Sequence, residues 1–274
     1  MKKAVGIIPA RWASTRFPGK PLYPIAGKPL LRHVWERSLR AKSLDTVIIA
    51  TDDIRIAEAA FDWGAEVALT SPHHRSGTDR VAEVARKLKE TAFVLNIQGD
   101  EPLVEPRLLD RLVDKLRRDP TVQIVTAAHP FKNLKDMSSP HQVKVIVGAN
   151  GIAVDFTRKV SRNGELQLAE MSVNGGRLLR QGYGGQGGHR RSVKLRVLRH
   201  QGIYGFRRAA ILKFVGLKQT PRENAESLEQ LRALENGVSV HVLVTKHGWP
   251  GVDTPVDAKA LEQKLARAKR RTAH

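Results

Sequence analysis

A loop that carries three fixed positive charges follows the first apolar run of this sequence. The stretch Pro9–Lys20 reads PARWASTRFPGK. Its cations and hydroxyl side chains are Arg11, Arg16, Lys20, Ser14 and Thr15. Arginine can bind phosphate oxygens through two parallel hydrogen bonds, and lysine adds a mobile point charge. The loop matches neither the Walker phosphate loop nor the glycine-rich dinucleotide turn. A solvated basic turn would explain any one of these residues, but their density favours a site for a triphosphate.

Two aspartates are candidate metal ligands. Asp100 follows an apolar run in VLNIQGDEP, which is where α/β enzymes commonly hold Mg²⁺ through carboxylate oxygens. A turn or helix-capping aspartate fits the same position equally well. Asp253 in PGVDTPVD has two interpretations as well: a second ligand, or the N-cap of a helix with Pro255 in its first turn.

The elements that must position these residues alternate along the first part of the chain. Short β-branched runs and longer amphipathic segments follow one another as AVGIIP, LLRHVWERSLRA, DTVIIAT, DIRIAEAAFDWG, EVALT, DRVAEVARKLKE and FVLNIQGD. This order predicts strand, helix, strand, helix, and the apolar strands indicate a sheet covered on both faces. We therefore expect an α/β fold with a doubly wound, mostly parallel sheet. Sites in such sheets lie at the carboxyl ends of strands, which is where Pro9–Lys20 and Gln98–Pro102 would be.

Regularity weakens in the second half of the chain. VQIVTAA and QVKVIV are expected strands, but the range 150–200 looks irregular, and the stretch NGGRLLRQGYGGQGGHRRS within it favours a flexible loop. The pattern then resumes with GIYGFRRAAILKFV, SLEQLRALENG, the strand VSVHVLVT and a basic last helix. We expect His73 and His74 to be surface residues, since adjacent loop histidines seldom bind one metal. His200 and Tyr204 could line a pocket, or Tyr204 could simply belong to the core.

Composition narrows the function classes. The chain of 274 residues has no cysteine, which excludes disulfides, thiolate catalysis and Cys-ligated metals. No apolar run is long enough to cross a bilayer and the N-terminus does not resemble a signal peptide, so a cytoplasmic location is expected. The net charge of +20 favours polyanionic partners. Its basic residues concentrate in two places, Arg177–Arg208 and the final segment LEQKLARAKRRTAH.

Nine segments resemble a known family, in the same order and over nearly the whole chain. They are IIPARWASTRFPGKPL, ATDD, SGTDRVAE, NIQGDEPL, VKVIV, FTR, RHQGIYGFR, SLEQLRALENG and GVDTP. The sequence is similar to the 3-deoxy-manno-octulosonate cytidylyltransferases, also called CMP-Kdo synthetases. That family joins CTP to the sugar acid Kdo (3-deoxy-D-manno-octulosonate), giving CMP-Kdo and pyrophosphate for lipopolysaccharide assembly.

The resemblance implies a role for each matching residue. Arg11 and Lys20 would hold the phosphates and, with Asp100, form the catalytic set. The nucleotide would be bound by Pro9, Ala10, Arg11, Ser14, Arg16, Lys20, Ser76, Gly77, Arg80 and Gln98. Mg²⁺ would be bound by Asp100 and Asp253. The sugar acid would be bound by Arg158, His200, Tyr204, Glu229 and Gln230. The resemblance also implies a Rossmann-like nucleotidyltransferase domain over 1–274, with a smaller inserted dimerisation and sugar-binding region, in a homodimer without membrane contact.

Residues 159–199 depart from the family's usual segment. They carry KVSRNGELQLAE and a Gly/Arg-rich stretch in place of a less basic, proline-containing one. A nucleotidyltransferase acting on a related ulosonic acid, such as an amino-modified Kdo, is therefore a second hypothesis. A basic nucleic-acid-binding protein is a third, which the missing aromatic-basic array and recognition motif disfavour.

Overall fold

A computed structural model describes residues 2–13, 17–159, 171–174, 177–180 and 195–272 of the chain. Its strands are β1 Lys3–Ala10, β2 Pro24–Ile25, β3 Lys28–Pro29, β4 Thr46–Thr51, β5 Glu66–Leu69, β6 Thr91–Asn96, β7 Ile124–His129, β8 Lys144–Val147, β9 Ala153–Thr157, β10 Met171–Asn174, β11 Arg177–Arg180, β12 Arg196–Arg207 and β13 Val240–Val244. Its α-helices are α1 Leu30–Ser38, α2 Ile54–Asp62, α3 Gly77–Lys87, α4 Pro106–Arg118, α5 Leu134–Ser138, α6 Arg208–Val215, α7 Pro221–Glu226, α8 Leu231–Glu235 and α9 Pro255–Thr272, and a 3-10 turn covers Lys20–Leu22.

The chain divides into two compact units. Unit 1 contains residues 1–126, 202–216 and 249–274, and unit 2 contains residues 127–201 and 217–248. The single domain expected over 1–274 stays a prediction.

Unit 1 is built on a mostly parallel sheet. Its strands lie in the order β5-β4-β1-β6-β12, with β12 antiparallel to β6 and the other pairs parallel. The chain passes outward from β1 through β4 to β5 and then returns to β6 on the other side of β1. This reversal is a topological switch point, where open α/β sheets bind ligands beyond the carboxyl ends of the strands. The predicted α/β class and parallel core are confirmed.

Helices of unit 1 cover this sheet because each has one apolar face. In α4 the buried residues Leu108, Leu109, Leu112, Val113 and Leu116 recur at helical spacing. Helix α4 contacts α1, while α3 contacts α6, and all four pack against strands of the sheet. A smaller apolar cluster joins the loop after β1 to the start of α9 through Phe17, Ile25, Leu30, Val252, Ala258 and Leu261.

Unit 2 contains antiparallel strands. Strand β8 pairs with β9 on one side and with the first part of β12 on the other. Helices α7 and α8 are joined by a buried ion pair between Arg232 and Glu223. The Arg222 guanidinium on α7 also lies 2.7 Å from the Asp155 carboxylate on β9.

The irregular range predicted at 150–200 needs correction in its described parts. Strands β9, β10, β11 and the start of β12 fall within it, and β10 pairs with β11 as an antiparallel hairpin. Alternation in AVDFT and RVLRHQGIYGFR could have indicated two of these strands. Residues 175–176 and 181–192 of the glycine-rich stretch lie outside the described residues.

Across the described part of the chain, every helix is too short or too polar to traverse the apolar interior of a bilayer.

Candidate active site

A cavity in unit 1 opens at the carboxyl ends of β1 and β6, on the switch point. The predicted site residues that line it are Pro9, Ala10, Arg11, Lys20, Ser76, Gly77, Arg80, Gln98, Asp100 and Asp253. They come from four separate stretches of sequence, and parallel strands bring their ends to one edge. Ser14 and Arg16, which were also predicted here, lie outside the described residues.

Lys20 lies between the two predicted metal ligands. Its Nζ is 2.7 Å from Asp100 Oδ2 and 3.6 Å from Asp253 Oδ1. The two carboxylates therefore converge on one position that a cation occupies. Among the described residues no group of three or more histidine, aspartate or glutamate side chains could hold a metal by itself. Two carboxylates completed by phosphate oxygens and water are nevertheless an ordinary donor set for Mg²⁺.

The alternative role considered for Asp253, capping the last helix, belongs instead to its neighbour. Thr254 Oγ1 accepts a hydrogen bond from the Asp257 main-chain N–H, and the Asp257 carboxylate accepts one from the Thr254 N–H. This reciprocal pair caps α9. Because Thr254 accepts the capping bond, the Asp253 carboxylate can face Lys20.

The segment that carries Asp253 is attached directly to the turn after β6. The Val252 N–H donates to the Asp100 carbonyl at 2.8 Å, and Trp249 Nε1 donates to Glu101 Oε2 at 2.9 Å. These two bonds set the distance between the aspartates, although the residues are about 150 positions apart in sequence. Sequence reasoning missed Trp249 because no local pattern surrounds it.

Helix α3 points its first turn at the cavity. Ser76 caps the helix, accepting from the Asp79 N–H at 3.1 Å while the Asp79 carboxylate accepts from the Ser76 N–H. A Cβ on Gly77 would lie only 3.2 Å from the Pro9 ring, so the helix end approaches β1 closely. The unpaired N–H groups and the dipole of a helix N-terminus attract phosphate.

The floor of the cavity is held by buried polar groups. Arg80 is almost fully buried, lies 3.0 Å from the Asp52 carboxylate and donates to the Thr70 hydroxyl. The Gln98 amide donates from Nε2 to Asn96 Oδ1 at 3.2 Å, which fixes its orientation. A guanidinium and an oriented amide at the base of a pocket can recognise a polar ring by its hydrogen-bonding edge.

The expectation that both neighbouring histidines are surface residues is correct for His73 and wrong for His74. His73 is exposed, whereas the partly buried His74 lines the cavity and its Nε2 lies 2.6 Å from Glu83 Oε2. The Ser71 N–H and His74 together lower the pKa of Glu83 to about 2. Glu83 is therefore ionised at neutral pH and orients the imidazole.

The balance of charge in the cavity is positive. Arg11, Lys20, Arg75 and Arg80 contribute four cations, against the two carboxylates of Asp100 and Asp253. With a helix N-terminus added, the site is suited to a polyphosphate, and it could hold a divalent ion between carboxylates and phosphates.

Most of the residues predicted to bind the sugar acid lie in unit 2. Arg158 follows β9, His200 lies on β12, and Glu229 and Gln230 fall between α7 and α8. The His200 ring packs edge-on against Phe156 with centroids 5.1 Å apart, and burial lowers the pKa of His200 to about 3. Tyr204 belongs to unit 1, where it is 5% exposed and pairs with Asn96 of β6. The core interpretation of Tyr204 therefore agrees with its burial.

Comparisons with known proteins agree with the resemblance seen in the sequence. A family model described as cytidylyltransferase matches residues 5–241. The 3-deoxy-manno-octulosonate cytidylyltransferase of Geobacter sulfurreducens is 42% identical over 262 residues, or 94% of this chain and 98% of that protein. The protein of the same name from Syntrophotalea carbinolica is 38% identical over 260 residues, or 94% and 97%.

Solved structures extend this likeness to three dimensions. The structure of a CMP:2-keto-3-deoxy-manno-octonic acid synthetase complexed with CTP superimposes with a TM-score of 0.81 at 34% identity, covering 97% of this chain and 99% of that one. A cytidylyltransferase from Leptospira borgpetersenii, with a TM-score of 0.59 at 16% identity, covers 97% of this chain and 88% of its own and shares the fold. Both the sequence and the fold thus establish that this chain belongs to the 3-deoxy-manno-octulosonate cytidylyltransferase family.

Proposed function

We propose that this protein is a Mg²⁺-dependent cytidylyltransferase that joins CTP to Kdo, producing CMP-Kdo and pyrophosphate for lipopolysaccharide synthesis. The observation that carries the proposal is the convergence of Lys20, Asp100 and Asp253 at the mouth of a cationic cavity that also receives the first turn of α3. The names of relatives about 40% identical over nearly their full length support the choice of both substrates.

The chain's own residues bind and orient the triphosphate. Arg11, Lys20 and the N-terminus of α3 supply positive charge and N–H donors, while Arg80 and Gln98 at the cavity floor bind the base. The anomeric hydroxyl of Kdo attacks the α-phosphorus and loses its proton to solvent, a new P–O bond forms, and the bond to pyrophosphate breaks. Because phosphoryl chemistry of this kind needs position and charge neutralisation above all, the protein requires no covalent intermediate.

The donor set fits a divalent ion. Asp100 and Asp253 already converge on one cationic group, the Lys20 ammonium, and both offer the hard oxygen ligands that Mg²⁺ prefers. When bound there, Mg²⁺ would neutralise phosphate charge that otherwise repels the carboxylate of the sugar acid. Lys20 holds the two aspartates close together. With Arg11 and the N-terminus of α3, it also offers positive charge to the departing pyrophosphate.

Residues of unit 2 bind the sugar acid in this proposal. Arg158 receives its carboxylate, since a guanidinium can form two parallel hydrogen bonds with it. His200 stays neutral at physiological pH, because burial keeps its pKa at about 3, and so offers a hydrogen bond without adding charge. Glu229 and Gln230 complete the hydroxyl contacts. We further propose that the enzyme works in the cytoplasm as a homodimer, without a membrane or nucleic-acid partner.

Pyrophosphate release tests the proposal. The purified protein is incubated with Mg²⁺ and CTP, with and without Kdo, beside matched reactions with ATP, GTP and UTP. We expect release only when both CTP and Kdo are present. Release with CTP and an amino-modified Kdo, but not with Kdo, would mean that the enzyme uses the amino-modified sugar as its acceptor. No release with any ulosonic acid would overturn the proposal.

A further inference from the structure

A fully buried lysine lies in the middle of unit 2. Lys144 on β8 has no exposed surface, and its Nζ donates to the Ser139 carbonyl at 2.6 Å and to the Arg158 carbonyl at 3.0 Å. Burial lowers the pKa of Lys144, with the nearby Arg158 charge adding to the effect. A buried ammonium is costly unless it is well hydrogen-bonded, so this position is unusual for a residue that only completes a strand.

The register of the sheet pairs Lys144 with the residues that precede two proposed ligands of the sugar acid. Lys144 is paired with Thr157 on β9 and with Arg199 on β12, and each of these precedes a proposed ligand, Arg158 or His200. The His200 N–H donates at 2.9 Å to the carbonyl of Val143, the residue just before β8. Strand β8 therefore holds both proposed ligands at one end.

Glu226 of α7 also binds Arg158, through its carboxylate and its main-chain carbonyl. Glu226 Oε2 accepts from the Arg158 N–H at 2.9 Å, and Oε1 accepts from the Thr157 hydroxyl at 3.3 Å. The Glu226 carbonyl accepts from Arg158 Nε at 3.1 Å. The main-chain N–H, the main-chain carbonyl and the inner guanidinium nitrogen of Arg158 are therefore all engaged by Lys144 or Glu226.

The outer edge of the Arg158 guanidinium is less occupied. Within the described residues its terminal nitrogen Nη1 makes contacts of 3.5 Å to the carbonyls of Pro140 and His141, at the long limit of a hydrogen bond. A carboxylate could replace such weak contacts and gain two charge-assisted bonds.

We propose that Lys144 and Glu226 are positioning residues, which hold Arg158 so that its outer nitrogens meet the carboxylate of the sugar acid. The inference rests on the proposed function and adds two residues to it. Neither residue touches substrate; each acts through the Arg158 main chain. The device selects acidic sugars over neutral ones, because a carboxylate is the group that an aligned guanidinium binds in two places.

Variants of both residues separate positioning from mere stability. Lys144→Met removes the ammonium with little change in volume, and Glu226→Gln removes the charge and turns one acceptor into a donor. The exposed Lys135→Met on α5 is the matched control for charge in the same unit. The Michaelis constants for Kdo and for CTP are measured separately, together with kcat and the midpoint of thermal unfolding.

We expect KM for Kdo to rise about tenfold or more in both variants, because small misplacements of a binding group have effects of this size. KM for CTP should change less than about threefold, and Lys135→Met should match the parent protein. Equal rises in both constants, or an unchanged KM for Kdo, would overturn the positioning role. If Lys144→Met does not fold, Glu226→Gln alone decides. Failure of the parent protein to use any ulosonic acid would instead refute the proposed function, so the two failures are distinguishable.

Discussion

The Lys20 ammonium lies 2.7 Å from Asp100 Oδ2, and Asp253 Oδ1 is 3.6 Å from the same nitrogen. Lys20 and Asp100 are both well covered, with 16% and 31% of their side chains exposed, whereas Asp253 is about half exposed. The pair therefore interacts more strongly than a surface salt bridge, which contributes about 1 kcal/mol or less.

Asp100→Asn and Asp253→Asn should each lower turnover by about 100-fold or more, since each removes one stabilising charge from the reaction centre. Pyrophosphate release at saturating CTP and Kdo, followed over a Mg²⁺ titration, measures this effect. Glu90→Gln is a suitable control, because the Glu90 side chain is 83% exposed and pairs with Lys3 at the surface. Near-normal turnover in both aspartate variants would refute the metal assignment.

Trp249→Phe tests how the Asp253 segment is held. The substitution keeps an aromatic ring but removes the Nε1–H that donates to Glu101. Without that bond, Asp253 should move more widely and the concentration of Mg²⁺ needed for half-maximal rate should rise about tenfold. Glu101→Gln is the matched variant, because its amide oxygen still accepts from the indole and the change should be smaller. An unchanged Mg²⁺ requirement in Trp249→Phe would show that Val252 is sufficient.

Much of the cavity was predictable from sequence because its residues follow strands of a parallel sheet. Pro9 lies at the end of β1, Lys20 and Asp100 follow β1 and β6, and the carboxyl ends of such strands meet at one edge. No ligand geometry was needed for that step, only the alternation of strand and helix. The family resemblance then supplied specific roles that periodicity does not contain.

The residues that sequence reasoning missed are those whose partners are distant in the chain or lie across a turn. Trp249 donates a hydrogen bond to Glu101 over a separation of 148 residues, and no sequence pattern near Trp249 predicts that contact. His74 resembles any surface histidine until α3 folds and Glu83 faces it. Asp253 was a possible cap for α9, and only the folded helix end shows that Thr254 has that role.

Gly99→Ala should damage the cavity without removing any of its polar groups. A Cβ at this position would lie 3.0 Å from the Pro9 carbonyl oxygen and 3.4 Å from Leu31. Because Pro9 belongs to β1, the backbone would have to shift, at a cost of roughly 1–3 kcal/mol in the free energy of unfolding. KM for CTP should rise several-fold in steady-state assays.

Gly216→Ala provides the comparison for that experiment. Gly216 ends α6 with an ordinary right-handed backbone, and its nearest contact for a new Cβ is 3.4 Å away. This variant should keep the parent KM for CTP. The same KM in both alanine variants would contradict a role for the Pro9–Gly99 approach in shaping the cavity.

His200 should make stability depend on pH in a specific window. Its folded-state pKa is about 3, mainly because burial disfavours the imidazolium and secondarily because Arg158 is close, whereas an unfolded histidine titrates near 6.5. Between these values the unfolded chain binds a proton that the folded chain does not, so stability falls as pH decreases from about 6.5 toward 3. Carboxylates such as Glu83, whose folded-state pKa is about 2, contribute their own loss mainly below about pH 4.5.

His200→Gln isolates this contribution, because glutamine keeps a polar side chain but does not titrate. Urea unfolding at pH 6.5, 6.0, 5.5 and 5.0 gives the free energy of unfolding for the parent protein and the variant. The parent should lose about 1.5 kcal/mol more than the variant across this range, which is the linkage expected when one histidine protonates only in the unfolded state. The exposed His73→Gln should follow the parent curve. Parallel curves for the parent and His200→Gln would mean that His200 gains its proton in the folded protein, and the neutral hydrogen-bonding role proposed for it would fail with that result.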